Sequence, residues 1–197
     1  MSNGPVAVLI GPPGAGKSTV GPLLADLLGA PFAETDRLVE EVAGKPVSDI
    51  FVSDGEPAFR DLERAVVARA LAEHPGIVAL GGGAVMDPGT REMLGRHRVV
   101  YLQTGFASAV RRVGLDAPRP LLIGNPRGRM RDLLAERLPV YEGLAWITVV
   151  TDDREPQEIA DEIAAAITGR IAAAAGEGAG TGPEDADWAD GTGDAGA

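Results

Sequence analysis

The segment "VAVLIGPPGAGKS", residues 6–18, joins an apolar run to a glycine-rich loop. The five apolar residues from Val6 to Ile10 are typical of a buried parallel strand. Gly11 to Ser18 then match the pattern G-x-x-x-x-G-K-[ST], and a helical pattern starts at Lys17. A strand, a loop and a helix in this order predict a site for the phosphates of a nucleoside triphosphate.

Residue types within the loop indicate how it would hold phosphates. Glycines let backbone N–H groups turn towards the β- and γ-phosphates, and the N-terminus of the next helix adds positive potential. Lys17 adds a point charge, and the hydroxyl of Ser18 is placed to bind Mg²⁺. The alternative is a glycine-rich turn that Ser18 caps. We expect nucleotide contacts from Gly14, Ala15, Gly16, Lys17, Ser18 and Thr19.

Apolar runs alternate with helical patterns along the rest of the chain. Strands are predicted at Val6–Ile10, Ile77–Leu80, Val99–Leu102 and Trp146–Val150, with a weaker candidate at Pro31–Thr35. Helices are predicted at Lys17–Leu28, Glu56–Ala72, Phe106–Val113, Arg127–Leu138 and Pro156–Ile171. This alternation predicts an α/β fold with a five-stranded parallel sheet flanked by helices.

Composition limits both the organisation and the partners of the chain. Its 197 residues fit one domain, which we place at residues 1–170. Residues 171–197 carry six acidic and no basic residues, consist mostly of small residues, and are predicted to form a disordered tail around Trp188. The net charge is −11, of which −5 belongs to residues 1–170, and no basic stripe predicts a nucleic-acid partner.

The same composition bears on location. No apolar stretch approaches the roughly 18 residues that a membrane span needs, and the first residues lack the basic region of a signal peptide. There are no cysteines, so disulfides and cysteine-ligated metals are excluded. We expect a cytoplasmic protein that does not bind membranes and is a monomer.

Two acidic residues follow the weak strand candidate in the sequence Glu34-Thr35-Asp36. Carboxyl ends of parallel strands are where ligands of open α/β folds bind, and alternate residues of a strand end point to the same side. One carboxylate can therefore hold a metal while the other orients or deprotonates an acceptor hydroxyl. The alternative is the start of a helix, capped by Thr35 or Asp36.

Arg60 and Glu63 lie three residues apart in a helical pattern and so share one face. By itself this spacing is typical of a surface ion pair. Downstream, three successive glycines, Gly81 to Gly83, follow the strand candidate that ends at Leu80. They permit a close approach of the backbone to a ligand, or to another part of the protein in a tight packing contact.

Four motifs together, in this order, resemble those of the shikimate kinase family. They are G-P-P-G-A-G-K-S, E-T-D, F-R-D-L-E with L-G-G-G-A-V, and the late R-P-L-L with E-R-x-P-x-Y, and the resemblance runs from about Pro5 to Gly169. It implies a three-layer P-loop kinase fold with a mobile lid at about residues 114–128. It further implies that ATP phosphorylates the 3-hydroxyl of shikimate, with Mg²⁺ bound by Ser18 and Glu34.

The resemblance also assigns roles to particular residues. It implies that shikimate contacts Asp36, Arg60, Gly81, Gly82, Gly83 and Arg137. Arg119 would reach the phosphates from the lid, although a solvated basic turn is the alternative for that segment, and Arg112 would lie near the adenine. Lys17, Asp36 and Arg119 are the expected catalytic residues. Family members usually have Asp where this chain has Glu34, which lengthens the outer carboxylate by one methylene.

Two other functions share part of this pattern. A P-loop kinase of a different acceptor, such as gluconate or a nucleoside monophosphate, would lack the arginines that bind a carboxylate. A non-catalytic nucleotide-binding module would lack Lys17, Asp36 or the lid arginine. Since all of these residues are present, we favour a shikimate kinase.

Overall fold

Five parallel strands form the central sheet of the computed structural model, which describes residues 4–113 and 126–176. The strands are β1 (Ala7–Ile10), β2 (Phe32–Glu34), β3 (Ile77–Ala79), β4 (Val99–Gln103) and β5 (Ile147–Val150). Their order in the sheet is β2-β3-β1-β4-β5, and every neighbouring pair is parallel. The predicted sheet is confirmed, and it includes the weak candidate, which is β2.

Helices flank the sheet, and eight lie within the described residues. They are α1 (Lys17–Leu28), α2 (Thr35–Ala43), α3 (Val47–Ser53), α4 (Gly55–Glu73), α5 (Pro88–Leu94), α6 (Phe106–Val113), α7 (Pro126–Leu144) and α8 (Pro156–Gly176). A short 3₁₀ turn, Ala84–Met86, lies between β3 and α5. Within the described residues, none of these helices is long and apolar enough to cross a bilayer.

The central strand β1 is the point where the strand order reverses. The chain first builds β2 and β3 on one side of β1, then crosses to build β4 and β5 on the other. Leu9 pairs with Ala79 of β3 and with Val100 of β4. Because parallel strands end at the same edge, the loops after β1 and β3 emerge side by side, at the place where open α/β sheets bind ligands.

Two groups of buried apolar residues hold this arrangement together. The larger one packs β1, β3 and β4 against α4 and α7, and all four residues of β1 are fully buried. The smaller one joins α2, α3 and α4 through Val39, Ile50, Phe59 and Val66. Full burial of an aliphatic or aromatic side chain contributes about 1.5–3 kcal/mol. The smaller group therefore holds α4, which carries Arg60, against α2, which carries Asp36.

Several helix boundaries differ from the sequence prediction. Helices α2, α3 and α5 were not predicted as helices, and each has only seven to nine residues. The prediction ended α7 at Leu138 because proline disrupts a helix, but the helix continues through Pro139 to Leu144. The burial of Tyr141 within the larger core offsets the cost of the proline.

The ends of α7 and α8 also differ from the prediction. Helix α7 begins at Pro126, so residues 126–128 of the expected lid form its first turn. Helix α8 was predicted to end at Ile171, but it extends to Gly176 and thus includes the first residues of the expected tail.

By internal packing the chain divides into two units, residues 1–165 and 166–197. The first holds the sheet, and the second holds the last turns of α8. Residues 114–125, with Arg119 and most of the expected lid, lie outside the described residues, as do residues 177–197 with Trp188.

Candidate active site

The loop from Gly11 to Ser18 joins β1 to α1, as the motif predicts. Gly11, Gly14 and Gly16 have φ values of 145°, 81° and 95°, a region that L side chains rarely adopt. Gly16 precedes the first residue of α1, so the loop leads directly into the N-terminus of that helix. Backbone N–H groups and the helix dipole favour an anion at such a position.

Lys17 reaches back across this loop. Its Nζ donates hydrogen bonds to the carbonyl oxygens of Gly11, at 2.7 Å, and Pro12, at 3.0 Å. The side chain is buried, so its ammonium group lies against the loop rather than in bulk solvent. Ala15 does not line the cavity described below, and its N–H donates to the oxygen of Pro12 at 3.2 Å.

The Glu34-Thr35-Asp36 segment lies where β2 ends and α2 begins. Glu34 occupies the position before the helix but makes no side-chain cap, and its carboxylate instead accepts a hydrogen bond from the hydroxyl of Ser18. Helix α2 therefore does start here, as in the alternative interpretation of this segment, but its N-cap is Glu34 rather than Thr35 or Asp36. The hydroxyl of Thr35 accepts a hydrogen bond from the N–H of Gly81, at 2.9 Å.

Gly81 to Gly83 are glycines because space is short, not because of their backbone angles. None of the three has a positive φ. A Cβ at Gly81 would collide with the carboxylate of Asp36 and lie 3.0 Å from Glu63 Oε1. A Cβ at Gly83 would lie 2.7 Å from Arg60 Nη1. The glycines therefore let this loop approach α2 and α4 closely, and side chains from both helices surround it.

The glycine loop also contacts the phosphate loop. A Cβ at Gly82 would lie 3.0 Å from Pro13 Cδ, and the N–H of Leu80 donates to the oxygen of Leu9 at 3.0 Å. On the other side, the oxygen of Gly82 accepts hydrogen bonds from Arg137 Nη1, at 3.0 Å, and from the hydroxyl of Tyr141, at 2.6 Å.

Arg60 is held by two carboxylates of its own helix. Its Nη1 lies 2.7 Å from Glu63 Oε2, and its Nη2 lies 3.1 Å from Glu56 Oε1. Burial works against the charge of Arg60, but Glu63 and Glu56 outweigh it and raise the pKa of the guanidinium. Arg60 therefore stays charged and oriented, with 28% of its side chain exposed.

Glu63 is the buried member of this pair. Burial raises the pKa of its carboxyl, and the positive charge of Arg60 opposes that rise. The negative charge of Asp36 adds to the rise, while Arg137 lowers it. Two carboxylates and two guanidinium groups are thus close enough to influence one another.

Arg112 connects the phosphate loop to the end of β5. Its Nη1 donates to Thr151 Oγ1 at 2.9 Å and to the oxygen of Gly14 at 3.4 Å, and its Nη2 donates to the oxygen of Thr151 at 2.5 Å. Nearby, Asp152 accepts hydrogen bonds from Thr104 Oγ1 and from the N–H of Gly105, both at 2.8 Å. These bonds lower the pKa of Asp152 against the opposing effect of its burial.

Residues of the phosphate loop, the end of β2, α4, the glycine loop, α6 and α7 border one cavity of about 630 Å³. Of the predicted site residues, those that line it are Gly14, Gly16, Lys17, Ser18, Thr19, Glu34, Asp36, Arg60, Gly81, Gly82, Gly83, Arg112 and Arg137. Val47, Phe51 and Phe59 supply an apolar wall. Arg119 lies outside the described residues.

The prediction missed several residues that position this site. Thr35, Glu63, Tyr141 and Thr151 are all buried, and each bonds a predicted residue. The spacing of Arg60 and Glu63 predicted that they share a helix face, and the structure pairs them, although Glu63 is buried rather than part of a surface ion pair. Nothing local indicates Tyr141, whose partner lies 59 positions away in the chain.

A parallel sheet with a phosphate loop at its reversal point, and a cavity lined by carboxylates and guanidinium groups, define a P-loop kinase of small molecules. The family model described as shikimate kinase matches residues 13–168. A curated shikimate kinase of Thermobifida fusca is 61% identical over 164 residues, which cover 83% of this chain and 95% of that protein. The chain belongs to the shikimate kinase family.

Two further relatives agree with this assignment. A curated shikimate kinase of Salinispora arenicola is 55% identical over 161 residues, covering 82% of this chain and 96% of that protein. The solved structure of shikimate kinase from Acinetobacter baumannii in complex with shikimate is 37% identical, has a TM-score of 0.81, and covers 85% of this chain and 94% of that one. The predicted family, fold and enzyme class are confirmed, and the chain is an ATP-dependent kinase of shikimate.

Proposed function

We propose that the enzyme transfers the γ-phosphoryl group of ATP to the 3-hydroxyl of shikimate within this cavity. The observation that carries this proposal is the shared cavity of the phosphate loop and the glycine loop, with Asp36 against Gly81. Phosphoryl transfer depends mainly on positioning and charge stabilisation, so two adjoining binding regions are what the reaction needs.

The acceptor side of the cavity suits a small carboxylated ring. Arg60 and Arg137 supply guanidinium groups, which bind a planar carboxylate through two parallel hydrogen bonds. The backbone of Gly81 to Gly83 lies close enough to add N–H donors, and Phe59 supports the charged end of Arg60, whose Cζ lies 5.2 Å from the ring centroid. Shikimate carries one carboxylate and three hydroxyls, and this set of donors matches it.

Asp36 is the proposed general base. Its carboxylate orients the 3-hydroxyl and accepts its proton while the hydroxyl oxygen bonds to the γ-phosphorus. The bond from that phosphorus to the β,γ-bridging oxygen breaks, and ADP leaves. Such proton transfer typically contributes 10²–10⁴-fold to rate.

The nucleotide side uses residues of α1 and α6. Backbone N–H groups of the phosphate loop and the ammonium of Lys17 bind the β- and γ-phosphates, and Arg112 lies towards the base. Arg119 is proposed, from the family resemblance alone, to reach the transferring phosphoryl group. Its segment lies outside the described residues.

The residues present fit Mg²⁺. Ser18 and Glu34 place a hydroxyl and a carboxylate in contact, and Mg²⁺ prefers such oxygen ligands while keeping several waters and phosphate oxygens. Within residues 4–113 and 126–176, no group of three or more His, Asp or Glu side chains that could hold a metal is present. When bound, Mg²⁺ neutralises charge on the phosphate oxygens. Glu34 stands where the family usually has aspartate, and its longer side chain still contacts Ser18.

Other expectations remain proposals. They are a kinase domain of residues 1–170 and a monomeric, cytoplasmic enzyme that binds neither membranes nor nucleic acid. The expected lid and acidic tail fall mainly on residues 114–125 and 177–197, which lie outside the described residues.

A coupled ADP-release assay with shikimate, gluconate and AMP tests the acceptor, and we expect turnover with shikimate alone. Phosphorus NMR of the product identifies the phosphorylated hydroxyl.

Arg60→Lys tests the role of that residue. It should weaken shikimate binding about 10-fold or more while leaving ATP binding within about two-fold, since it removes a forked contact remote from the phosphate loop. Isothermal calorimetry measures both affinities.

Arg64→Lys is the matched control, because Arg64 lies one turn further along α4, pairs with Asp61 and Asp87, and does not line the cavity. Equal losses for both ligands in Arg60→Lys, or an equal loss of shikimate binding in Arg64→Lys, would contradict the proposed acceptor site.

A further inference from the structure

Tyr141 is a buried tyrosine whose hydroxyl faces the glycine loop. It lies on α7, one turn after Arg137, and only 1% of its surface is exposed. Its ring stacks on that of Tyr101 from β4, with centroids 5.2 Å apart and an angle of 17° between the planes. Both rings belong to the larger core, together with Ala84, which directly follows the glycine loop. The ring is therefore held in place independently of any ligand.

The hydroxyl of Tyr141 makes a specific bond. It donates to the carbonyl oxygen of Gly82 at 2.6 Å, and Arg137 Nη1 donates to the same oxygen at 3.0 Å. A carbonyl oxygen has two lone pairs, so these two donors satisfy it completely. Because burial raises the pKa of Tyr141 to about 12, against the lowering effect of Arg137, the hydroxyl remains a donor in neutral solution.

Holding this carbonyl also orients the next amide. The peptide unit between Gly82 and Gly83 is planar and trans, so the N–H of Gly83 points opposite to the carbonyl that Tyr141 binds. Glycine residues lose the most conformational freedom on ordering, and three in succession have no side chains to anchor them. The direction of this N–H is therefore set by the turn that the Ala84 N–H closes onto the oxygen of Gly81, at 3.1 Å, together with the two donors from outside the loop.

Arg137 cannot perform this task alone if it also binds the acceptor. In the proposed function its guanidinium turns towards the shikimate carboxylate, while one of its nitrogens already bonds Gly82. A second donor that does not line the cavity keeps the carbonyl in place whatever the arginine does. Tyr141 meets that requirement, because it bonds Gly82 and is not among the lining residues.

We propose that Tyr141 is a positioning residue for the acceptor: it fixes the peptide between Gly82 and Gly83, so that the Gly83 N–H is directed at the acceptor while Arg137 turns towards the shikimate carboxylate. This inference rests on the proposed function of the cavity. It assigns a task to the last position of the E-R-x-P-x-Y motif, Glu136 to Tyr141, and it explains why α7 continues through Pro139.

Steady-state kinetics of Tyr141→Phe tests the proposal, since the change removes one oxygen and preserves the ring. We expect the KM for shikimate to rise about 5- to 10-fold, as befits one lost hydrogen bond, while the KM for ATP stays within about two-fold. Tyr101→Phe is the matched control, because it removes the same atom from the ring stacked on Tyr141 and should leave both KM values unchanged. A parallel rise in both KM values, or no change in either, would overturn the proposal.

Two further measurements separate positioning from simple stabilisation. Hydrogen exchange of a peptide covering residues 80–86 should be faster in Tyr141→Phe, whereas exchange of residues 6–10 should not change. The chain has only two tyrosines, so tyrosine labelled with ¹³C at Cζ gives two signals in the wild-type enzyme, which Tyr101→Phe or Tyr141→Phe assigns. Shikimate should shift the Tyr141 signal more than that of Tyr101, and the absence of such a shift would count against the proposal even if Tyr141→Phe did not fold.

Arg60→Lys in the same kinetic series separates this inference from the function on which it rests. If Arg60→Lys raises the KM for shikimate and Tyr141→Phe does not, the positioning role is wrong and the acceptor site stands. If neither variant has an effect, both are wrong.

Discussion

Two glycine-rich loops border the active-site cavity, and they need glycine for different reasons. In the phosphate loop, Gly11, Gly14 and Gly16 adopt positive φ values, so an L side chain would strain the backbone itself. In the glycine loop, Gly81 to Gly83 have ordinary backbone angles, but a Cβ there would strike groups from α2, α4 or the phosphate loop. One loop is thus constrained by its own conformation, and the other by its neighbours.

This difference explains why the sequence predicted the conformation of the phosphate loop but not the contacts of the glycine loop. The conformation of the phosphate loop is encoded within eight consecutive residues, and a strand and a helix on either side complete it. The glycine loop depends on Thr35, Arg137 and Tyr141, which lie 46 to 59 positions away from their partners in the chain. Substitutions in the two loops should therefore affect different properties of the enzyme.

The largest effect is expected for Gly81→Ala. Its Cβ would collide with the carboxylate of Asp36 and crowd Glu63, so the proposed base must move. A displacement of about 1 Å can cost 10²-fold in rate, and we expect kcat/KM for shikimate to fall by about that factor while ATP affinity is retained. Gly143→Ala in α7 is the control, because nothing lies within 4 Å of its Cβ position. Near-normal kinetics of Gly81→Ala would show that a Cβ at this position does not displace Asp36.

Gly16→Ala should instead affect stability and the nucleotide. A Cβ there has space, with Val20 Cγ2 at 3.9 Å, but the φ of 95° costs an L residue about 1–2 kcal/mol. Urea denaturation should show that loss of unfolding free energy, and calorimetry should show weaker ATP binding.

Gly83→Ala is the contrasting variant, with a helical φ of −98° but a Cβ 2.7 Å from Arg60 Nη1. It should keep its stability and lose affinity for shikimate, and the reverse pattern in the two variants would contradict the comparison.

The smallest effect is expected from Asp87, which anchors the segment after the glycine loop. Its carboxylate caps α5 through the N–H of Thr90, at 2.8 Å, and pairs with Arg64 of α4 at 2.9 Å. Asp87→Ala should cost about 1 kcal/mol of stability with little change in KM for either substrate. Asp61→Ala, which removes an exposed partner of the same arginine, should cost less.

This contribution should depend on pH. The N–H of Thr90, followed by Arg64, lowers the pKa of Asp87 in the folded state below its ordinary 3.8, against the opposing effect of its burial. A lowered pKa stabilises the fold above pH 3.8, and the stabilisation is lost as the pH falls through the folded-state value. The difference in unfolding free energy between wild type and Asp87→Ala should therefore shrink in acid, and a difference that grows on acidification would refute the assignment.

The sequence alone determined the features that are local or periodic. Four apolar runs and one weaker candidate predicted the five parallel strands, and the phosphate loop was located to the residue because its pattern specifies backbone conformation over a short span. Short helices such as α2, α3 and α5 escaped prediction, since seven to nine residues contain too few turns to show a period. The continuation of α7 past Pro139 was missed because intrinsic propensity was overridden by the burial of Tyr141.

Only the tertiary structure decided which residues meet. It placed Asp36 and Thr35 against Gly81 and Tyr141 against Gly82. The physical reason is that hydrogen bonds and close packing act over a few ångströms in space regardless of separation along the chain. A linear pattern records which groups are available, and the packing of α4 and α7 around the sheet determines which of them share a site.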